Sequence, residues 1–366
     1  VHVLDALTDA GPGLWGKERV VAHLMQAQRA TGRYRPSLAV FVECSLAALA
    51  RERGFPVFVL AKKHRRIPIA SAKALHAVLA AYDRPALVHS HEYKANVVAR
   101  YLRRSGTPMR ALISTSHAWF DDTRLVAAYN ALDRFTARAS DGVTVADRGM
   151  IRRFARDVHV EFVPNALPDV ESGVRTERAA ARARFGLPAD AFIAGFFART
   201  SIAKGIAVFC DAARASGDRG VTWVVAGSGN RADIARDAML PNLRYLGFQN
   251  DGDAFRSAID CYVQSSFVEG LSLSLLEAMR AALPIVATDA GSTRFAIRDG
   301  IDGIVVAPGD TGAIARAVAS IAADPSRAFA LGRASRERFE STFRIERQVE
   351  TFDDIYARAI VRKDAR

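Results

Sequence analysis

Short apolar, β-branched runs alternate with longer segments whose apolar residues recur at helical spacing, from one end of the chain to the other. In the first half the runs are Val1–Ala6, Pro36–Phe41, Pro56–Leu60, Ala86–Ser90, Ala111–Thr115, Gly142–Ala146 and His159–Val163. Glu18–Ala30 and Ala70–Ala81 are among the helical segments between them. The second half repeats the alternation, with runs at Phe192–Ala198, Val221–Ala226, Leu243–Gly247, Asp260–Gln264, Pro284–Thr288 and Gly303–Val306. Runs apolar on both faces and separated by helices predict parallel strands covered on both sides. The order restarts once, after Pro164-Asn165-Ala166-Leu167-Pro168-Asp169, whose prolines and turn formers predict a linker. The expectation is an α/β protein of two doubly wound, Rossmann-like domains, 1–165 and 166–344, facing each other across a ligand cleft. A terminal helix over 345–366 is expected to cross back to the first domain.

Composition narrows the class without changing this picture. The chain has 366 residues, too many for one ordinary core, and is 50% hydrophobic and 25% charged, the profile of a soluble globular protein. No apolar run is long enough to span a bilayer, and no basic and apolar leader precedes Val1, so neither a membrane span nor a secretion signal is expected. Cys44, Cys210 and Cys261 lie far apart without ligand-like spacing and are expected as small buried residues of a reducing cytoplasm. The net charge of +12 is uneven: residues 1–170 hold 25 Lys/Arg against 15 Asp/Glu, with a dense patch at Lys62, Lys63, His64, Arg65 and Arg66. That excess fits either a solvated surface or an anionic partner such as a membrane, an acidic lipid or a polysaccharide. Nucleic acid is disfavoured, because the patch lacks interleaved aromatics and a recognisable module.

Candidate chemistry concentrates in the second half. Between Leu273 and Leu283 nearly every position is apolar except Ser274, Glu277 and Arg280. A helix apolar almost all round is buried, so Glu277 needs a partner: ribose hydroxyls, or a basic residue in the core. Glu269 precedes that helix in a loop at a strand's carboxyl end, where loop residues reach a crevice. The amides of Gly270, Leu271 and Ser272 open the helix and could hold a phosphate. Upstream, Phe196-Phe197-Ala198-Arg199-Thr200-Ser201-Ile202-Ala203-Lys204-Gly205 follows a strand. No acid occurs between Phe192 and Cys210, so no carboxylate of the same segment neutralises Arg199 or Lys204. Two cations beside a helix amino end suit a diphosphate.

The two glutamates eight positions apart, within Glu-Gly-Leu and Leu-Leu-Glu-Ala-Met text, resemble the signature of the retaining family-4 glycosyltransferases, which have the GT-B fold. The resemblance implies that Glu269 contacts the donor sugar and Glu277 the ribose of a nucleotide diphosphate sugar. It further implies that Arg199 and Lys204 hold the diphosphate as it departs. Val224-Val225-Ala226-Gly227-Ser228-Gly229 and Leu246-Gly247-Phe248 are similar to further family segments, the latter placing Gly247 and Phe248 near the base. In the first half, Gly11-Pro12-Gly13-Leu14-Trp15-Gly16-Lys17 resembles the loop over the diphosphate, with Gly16 the best-matched position. His117, in Ser114-Thr115-Ser116-His117-Ala118, resembles a histidine that faces the transferring sugar. His91 and, just beyond it, Lys94 are candidates for the acceptor side. His89 is similarly placed. Ala118, Leu271-Ser272, Ala282 before Leu-Pro, Gly291-Ser292 and Phe295 depart from the family pattern and leave the donor open.

The expected function is a hexosyltransferase-type enzyme moving sugar from a UDP- or GDP-sugar to a glycan or lipid-linked acceptor, in bacterial cell-surface polysaccharide or glycolipid synthesis. Neither a metal nor another cofactor is expected, since no double carboxylate suits a cation and Asp121-Asp122 resembles an exposed turn. The expected location is cytoplasmic, peripheral on the inner membrane face. The rival readings are a GT-B-fold sugar-nucleotide epimerase and a non-catalytic nucleotide or carbohydrate binder.

Overall fold

A computed structural model describes residues 2–7, 16–63, 68–117, 124–169, 177–217, 220–236 and 240–364. The chain divides into two units, Val1–Pro168 with Ile345–Arg366, and Asp169–Arg344. In the first, β1 (His2–Leu7), β2 (Arg35–Val40), β3 (Val57–Val59), β4 (Leu87–His91), β5 (Ala111–Ser116), β6 (Gly142–Val145) and β7 (Val160–Phe162) form a parallel sheet. Its order is β3-β2-β1-β4-β5-β6-β7. The linking helices are α1 (Gly16–Ala30), α2 (Ser45–Glu52), α3 (Ile69–Ala80), α4 (Tyr93–Arg104) and α5 (Arg124–Thr136).

The second unit repeats the winding. Its strands β8 (Phe192–Phe197), β9 (Val221–Ala226), β10 (Leu243–Tyr245), β11 (Cys261–Gln264), β12 (Ile285–Thr288) and β13 (Ile304–Val306) run in the order β10-β9-β8-β11-β12-β13. Around them lie α6 (Arg178–Arg184), α7 (Ile206–Ser216), α8 (Ala232–Arg236), α9 (Gly252–Ala258), α10 (Leu273–Arg280), α11 (Thr293–Ala296), α12 (Thr311–Ala322) and α13 (Pro325–Thr342). The last helix, α14 (Ile345–Asp364), belongs to the first unit.

Period-two alternation explains the layers. Leu4, Ala39, Phe41 and Val88 point to the face covered by α3 and α4, whereas Val3, Leu87 and Ile113 point to the face covered by α14. Val349, Phe352, Ile355 and Tyr356, at helical spacing, form the buried stripe of α14. In the second unit Trp223 is buried edge-on against Phe209, and its indole Nε1 donates to Ser216 Oγ at 2.9 Å.

The linker expected at 164–169 holds the boundary between the two units, which falls after Pro168, and its first part is buried. Asn165, Ala166 and Leu167 are buried, the Ile345 amide donates to the Leu167 carbonyl, and Gln348 Nε2 donates to the Pro164 carbonyl. The start of α14 therefore supplies donors to two carbonyls of this segment.

Ala282 ends α10 in the left-handed region, at φ +57°. The Leu283 amide reaches back to the Ala278 carbonyl and the Ala282 amide to that of Met279, the pattern that normally places glycine at this position. A Cβ there costs about 1 kcal/mol or more. Ala282→Gly is accordingly expected to stabilise the second unit by about 1 kcal/mol, raising its melting transition by about 2–4 °C in calorimetry.

Candidate active site

Both sheets change winding direction beside their first strand, between β1 and β4 and between β8 and β11. Crevices at the carboxyl ends of such strand pairs are where doubly wound sheets bind ligands. In the second unit the loop after β8 carries Arg199 and Lys204, and the loop after β11 carries Glu269. The two loops are stitched together by backbone: the Phe267 and Val268 amides both donate to the Ala203 carbonyl. Gly205, at φ +67°, lets them touch, since a Cβ there would lie 1.9 Å from the Ser265 carbonyl oxygen.

This closeness corrects the sequence picture of the cations. Lys204 does have a carboxylate partner, contributed from 65 residues away: its Nζ donates to Glu269 Oε2 at 2.6 Å. Ser266 Oγ donates to the other oxygen, Oε1, at 2.7 Å. Arg199 stands exposed on the same loop. The acidic loop is buttressed from behind by the turn after β12. There the Ser292 amide donates to the Gly270 carbonyl at 2.9 Å, and Gly291 approaches so closely that a Cβ would meet the Glu269 carbonyl oxygen at 2.2 Å. Gly291 and Ser292 thus preserve backbone support for this loop, although they depart from the resembled sequence. Ser272 caps α10, its hydroxyl accepting from the Leu275 amide, while Leu271 is buried beneath the loop.

Glu277 is fully buried, and its Oε2 accepts from Arg256 Nη1 at 2.8 Å. The core cation, one of the two partners left open by the sequence, is present as Arg256. Arg256 also donates to Asp253 at 2.8 Å, and Arg280 Nη2 reaches the same carboxylate oxygen at 3.1 Å, so two acids and two cations share one network. Arg256 escaped the sequence reading. Its one local signal is the i,i+3 spacing from Asp253 on α9, which is common on solvated helices. Beyond β10, Gly247 sits at φ +68° with its carbonyl accepting from the Gly227 amide, and Phe248 is 58% exposed at the rim.

In the first unit, strand pairing places Asp5 beside His89 and His91 beside Thr115, which brings the histidines together at the sheet's crevice. His91 Nδ1 lies 3.2 Å from His117 Nε2, and His91 Nε2 lies 3.3 Å from Asp5 Oδ1. His89 Nδ1 meets the Tyr356 hydroxyl and its Nε2 the Thr115 hydroxyl, each at 2.7 Å. Burial drives the His91 imidazole down to about 3, and drives His89 and His117 well below the ordinary range, with the neighbouring imidazoles adding to the effect. Burial likewise raises the Asp5 carboxyl well above its usual value. Asp5, His91 and His117 therefore form a buried hydrogen-bonded series ending at the first unit's crevice, in which burial disfavours the charged form of each group. Asp5, His89 and His91 offer ligand atoms within 4.8 Å of one another, a grouping that sequence spacing could not reveal.

Gly16 is exposed at the first position of α1, while residues 8–15 of the glycine-rich loop lie outside the described residues, as do His64–Arg66, Ala118 and Asp121-Asp122. Lys94 faces a groove between α3, α4 and α5, with its Nζ 5.5 Å from the centre of the Tyr129 ring, and is not part of the histidine chain. Cys210 and Cys261 are buried and Cys44 half-buried, all three as free thiols.

Two successive parallel sheets of Rossmann order are the architecture of the GT-B fold. Comparison with known proteins agrees. Residues 191–324 match the family described as Glycosyl transferases group 1. The D-inositol 3-phosphate glycosyltransferase of Streptomyces scabiei is 28% identical over 366 residues, covering 88% of this chain and 80% of that protein. The lipopolysaccharide core biosynthesis mannosyltransferase LpcC of Rhizobium leguminosarum bv. viciae is 30% identical over 183 residues, 47% of this chain and 52% of its own. In fold, the chain resembles the crystal structure of Anabaena Alr3699/HepE in complex with UDP, with a TM-score of 0.83 at 17% identity, covering 98% of this chain and all of that one. The protein is a glycosyltransferase, similar over residues 191–324 of its second unit to the Glycosyl transferases group 1 family. Among the described residues no helix is long and apolar enough to cross a membrane.

Proposed function

We propose that the protein is a retaining hexosyltransferase that uses a UDP- or GDP-sugar and delivers the sugar to a glycan or lipid-linked acceptor in bacterial cell-surface polysaccharide or glycolipid synthesis. The observation that carries this reading is the meeting of Lys204 and Glu269 at the switch point of the second sheet. A cation placed for the departing diphosphate and a carboxylate placed for the sugar answer the two charges that grow in the transition state. The Gly270–Ser272 amides, Arg199, Gly247 and Phe248 complete the donor site in this reading, with Glu277 at its floor. His117, at the end of the hydrogen-bonded series from Asp5, is assigned to hydroxyls of the transferring sugar, and His91 to its positioning. The departing charge is met by side chains and amides, so transfer is proposed to need no metal. A cytoplasmic enzyme peripheral to the inner membrane face fits the basic first half.

The test is product analysis with one labelled donor. With acceptor-containing membrane extract and chelator, label is expected in an acceptor whose new linkage keeps the donor's anomeric configuration, with UDP or GDP released stoichiometrically. Release of an altered sugar nucleotide without acceptor would establish the epimerase reading instead. An inverted linkage, or dependence on added metal, would overturn the corresponding part of the proposal.

A further inference from the structure

Helix α5 is inverted in polarity. Its buried residues are Asn130 and Asp133, while Leu125, Ala128, Tyr129 and Leu132, a stripe at i, i+3, i+4 and i+7, face outward. Asn96 Nδ2 and Arg100 Nη1 both donate to Asp133, which explains why the polar side turns inward. The outward stripe, together with α3 and α4, walls a groove of about 960 Å³, within the range of pockets that enclose small ligands. Ala72, Val98 and Leu102 form its buried floor. Ile69 and Tyr101 are each 63% exposed at the rim, and Phe135 is 75% exposed at the end of α5. An apolar surface of this kind on one face marks a contact with something apolar.

Charge identifies what that contact is. The three helices hold seven Lys/Arg and one acid, Asp133; Arg100 is buried against Asp133 and Arg103 pairs with Asp141, which leaves five cations outside these two pairs. Lys73, Lys94 and His76 line the groove itself, and none of its described lining residues is acidic. The helices on the opposite face of the sheet, α1, α2 and α14, hold eight Lys/Arg against seven acids, so the cationic excess belongs to one layer. We propose that the α3–α4–α5 face seats the first unit on an anionic lipid bilayer, with the groove receiving an acyl chain and Lys73 and Lys94 meeting lipid phosphates. This deepens the peripheral-membrane part of the function proposed above by naming the surface and its ligand. A protein partner would need acids matched to the rim; a bilayer supplies apolar depth and phosphate together.

The test is co-flotation of the full chain with vesicles, without donor or acceptor, so that its result is independent of transferase activity. The chain is expected to float with vesicles of equal parts phosphatidylcholine and phosphatidylglycerol, and to stay in solution with phosphatidylcholine alone. Lys73→Glu/Lys94→Glu is expected to lower partitioning about tenfold or more. Leu125→Ser/Leu132→Ser is expected to lower it about tenfold at unchanged charge. Both variants change exposed or half-exposed side chains and are expected to melt like the parent. Absence of binding to anionic vesicles overturns the proposal, as does full binding by the Leu125→Ser/Leu132→Ser variant, which would mean adsorption by charge alone. So does a dimer in light scattering that the same variant dissociates, because the face would then belong to a second copy.

Discussion

Lys204→Ala lowers kcat about 10²–10³-fold while leaving the melting temperature within a few degrees of the parent. The Lys204–Glu269 pair gives this expectation a sharper form than the sequence positions of Arg199 and Lys204 alone. Lys204 is only partly exposed and hydrogen-bonded to Glu269 at 2.6 Å, so it could act by meeting the diphosphate or merely by holding the carboxylate in place. The two roles separate by measurement. If Lys204 meets the diphosphate, Lys204→Ala weakens UDP binding about tenfold or more and uridine binding hardly at all. In that case Glu269→Gln leaves UDP affinity near normal and lowers kcat through the sugar. If Lys204 only positions Glu269, UDP affinity is unchanged in Lys204→Ala, and the double variant is no slower than Glu269→Gln alone. Arg199, on the same loop, is expected to resemble Lys204 in the first pattern. Near-parental turnover by both Lys204→Ala and Arg199→Ala would remove the diphosphate site from this place.

Most of the architecture could be read from the chain because parallel strands covered on both faces leave a strong mark: a short, continuous apolar run with a helix on either side. Each of the runs that predict strands contains one, and the differences fall at the ends, as at Leu243–Tyr245, where Leu246 and Gly247 already belong to the turn toward the crevice. The loops that carry Lys204 and Glu269 were legible for a related reason, since glycines and polar residues interrupt an otherwise apolar sequence at strand ends. What stayed hidden were partnerships between distant positions. Nothing near Lys204 announces Glu269, nothing near His89 announces Tyr356, and Asp5 looks like any acid at the end of an apolar run until β1 pairs with β4. The inversion of α5 was hidden differently. Periodicity finds an apolar stripe but not its direction, and the direction here is set by Asn96 and Arg100 of α4 drawing Asp133 inward.

The buried network around Glu277 yields the largest expected effect on stability. Arg256→Ala strips the Glu277 carboxylate of its 2.8 Å partner at a site without solvent, and should cost about 3–5 kcal/mol. Glu277→Gln retains a hydrogen-bond acceptor for Arg256 and should cost less, about 1–2 kcal/mol. Replacing both members together, Arg256→Met with Glu277→Leu, removes charge and partner at once, so stability should return close to that of the parent. That double variant also separates the two duties that Glu277 could perform. If its carboxylate only neutralises Arg256, the restored protein binds UDP with parental affinity. If it also accepts hydrogen bonds from ribose hydroxyls, UDP affinity falls about tenfold or more, while affinity for inorganic pyrophosphate, which has no ribose, is unchanged. Denaturant titration and calorimetry on the same three proteins decide between these outcomes. The physical reason to expect the dual role is that a carboxylate costly to bury stands in the helix directly following the loop proposed to hold the donor.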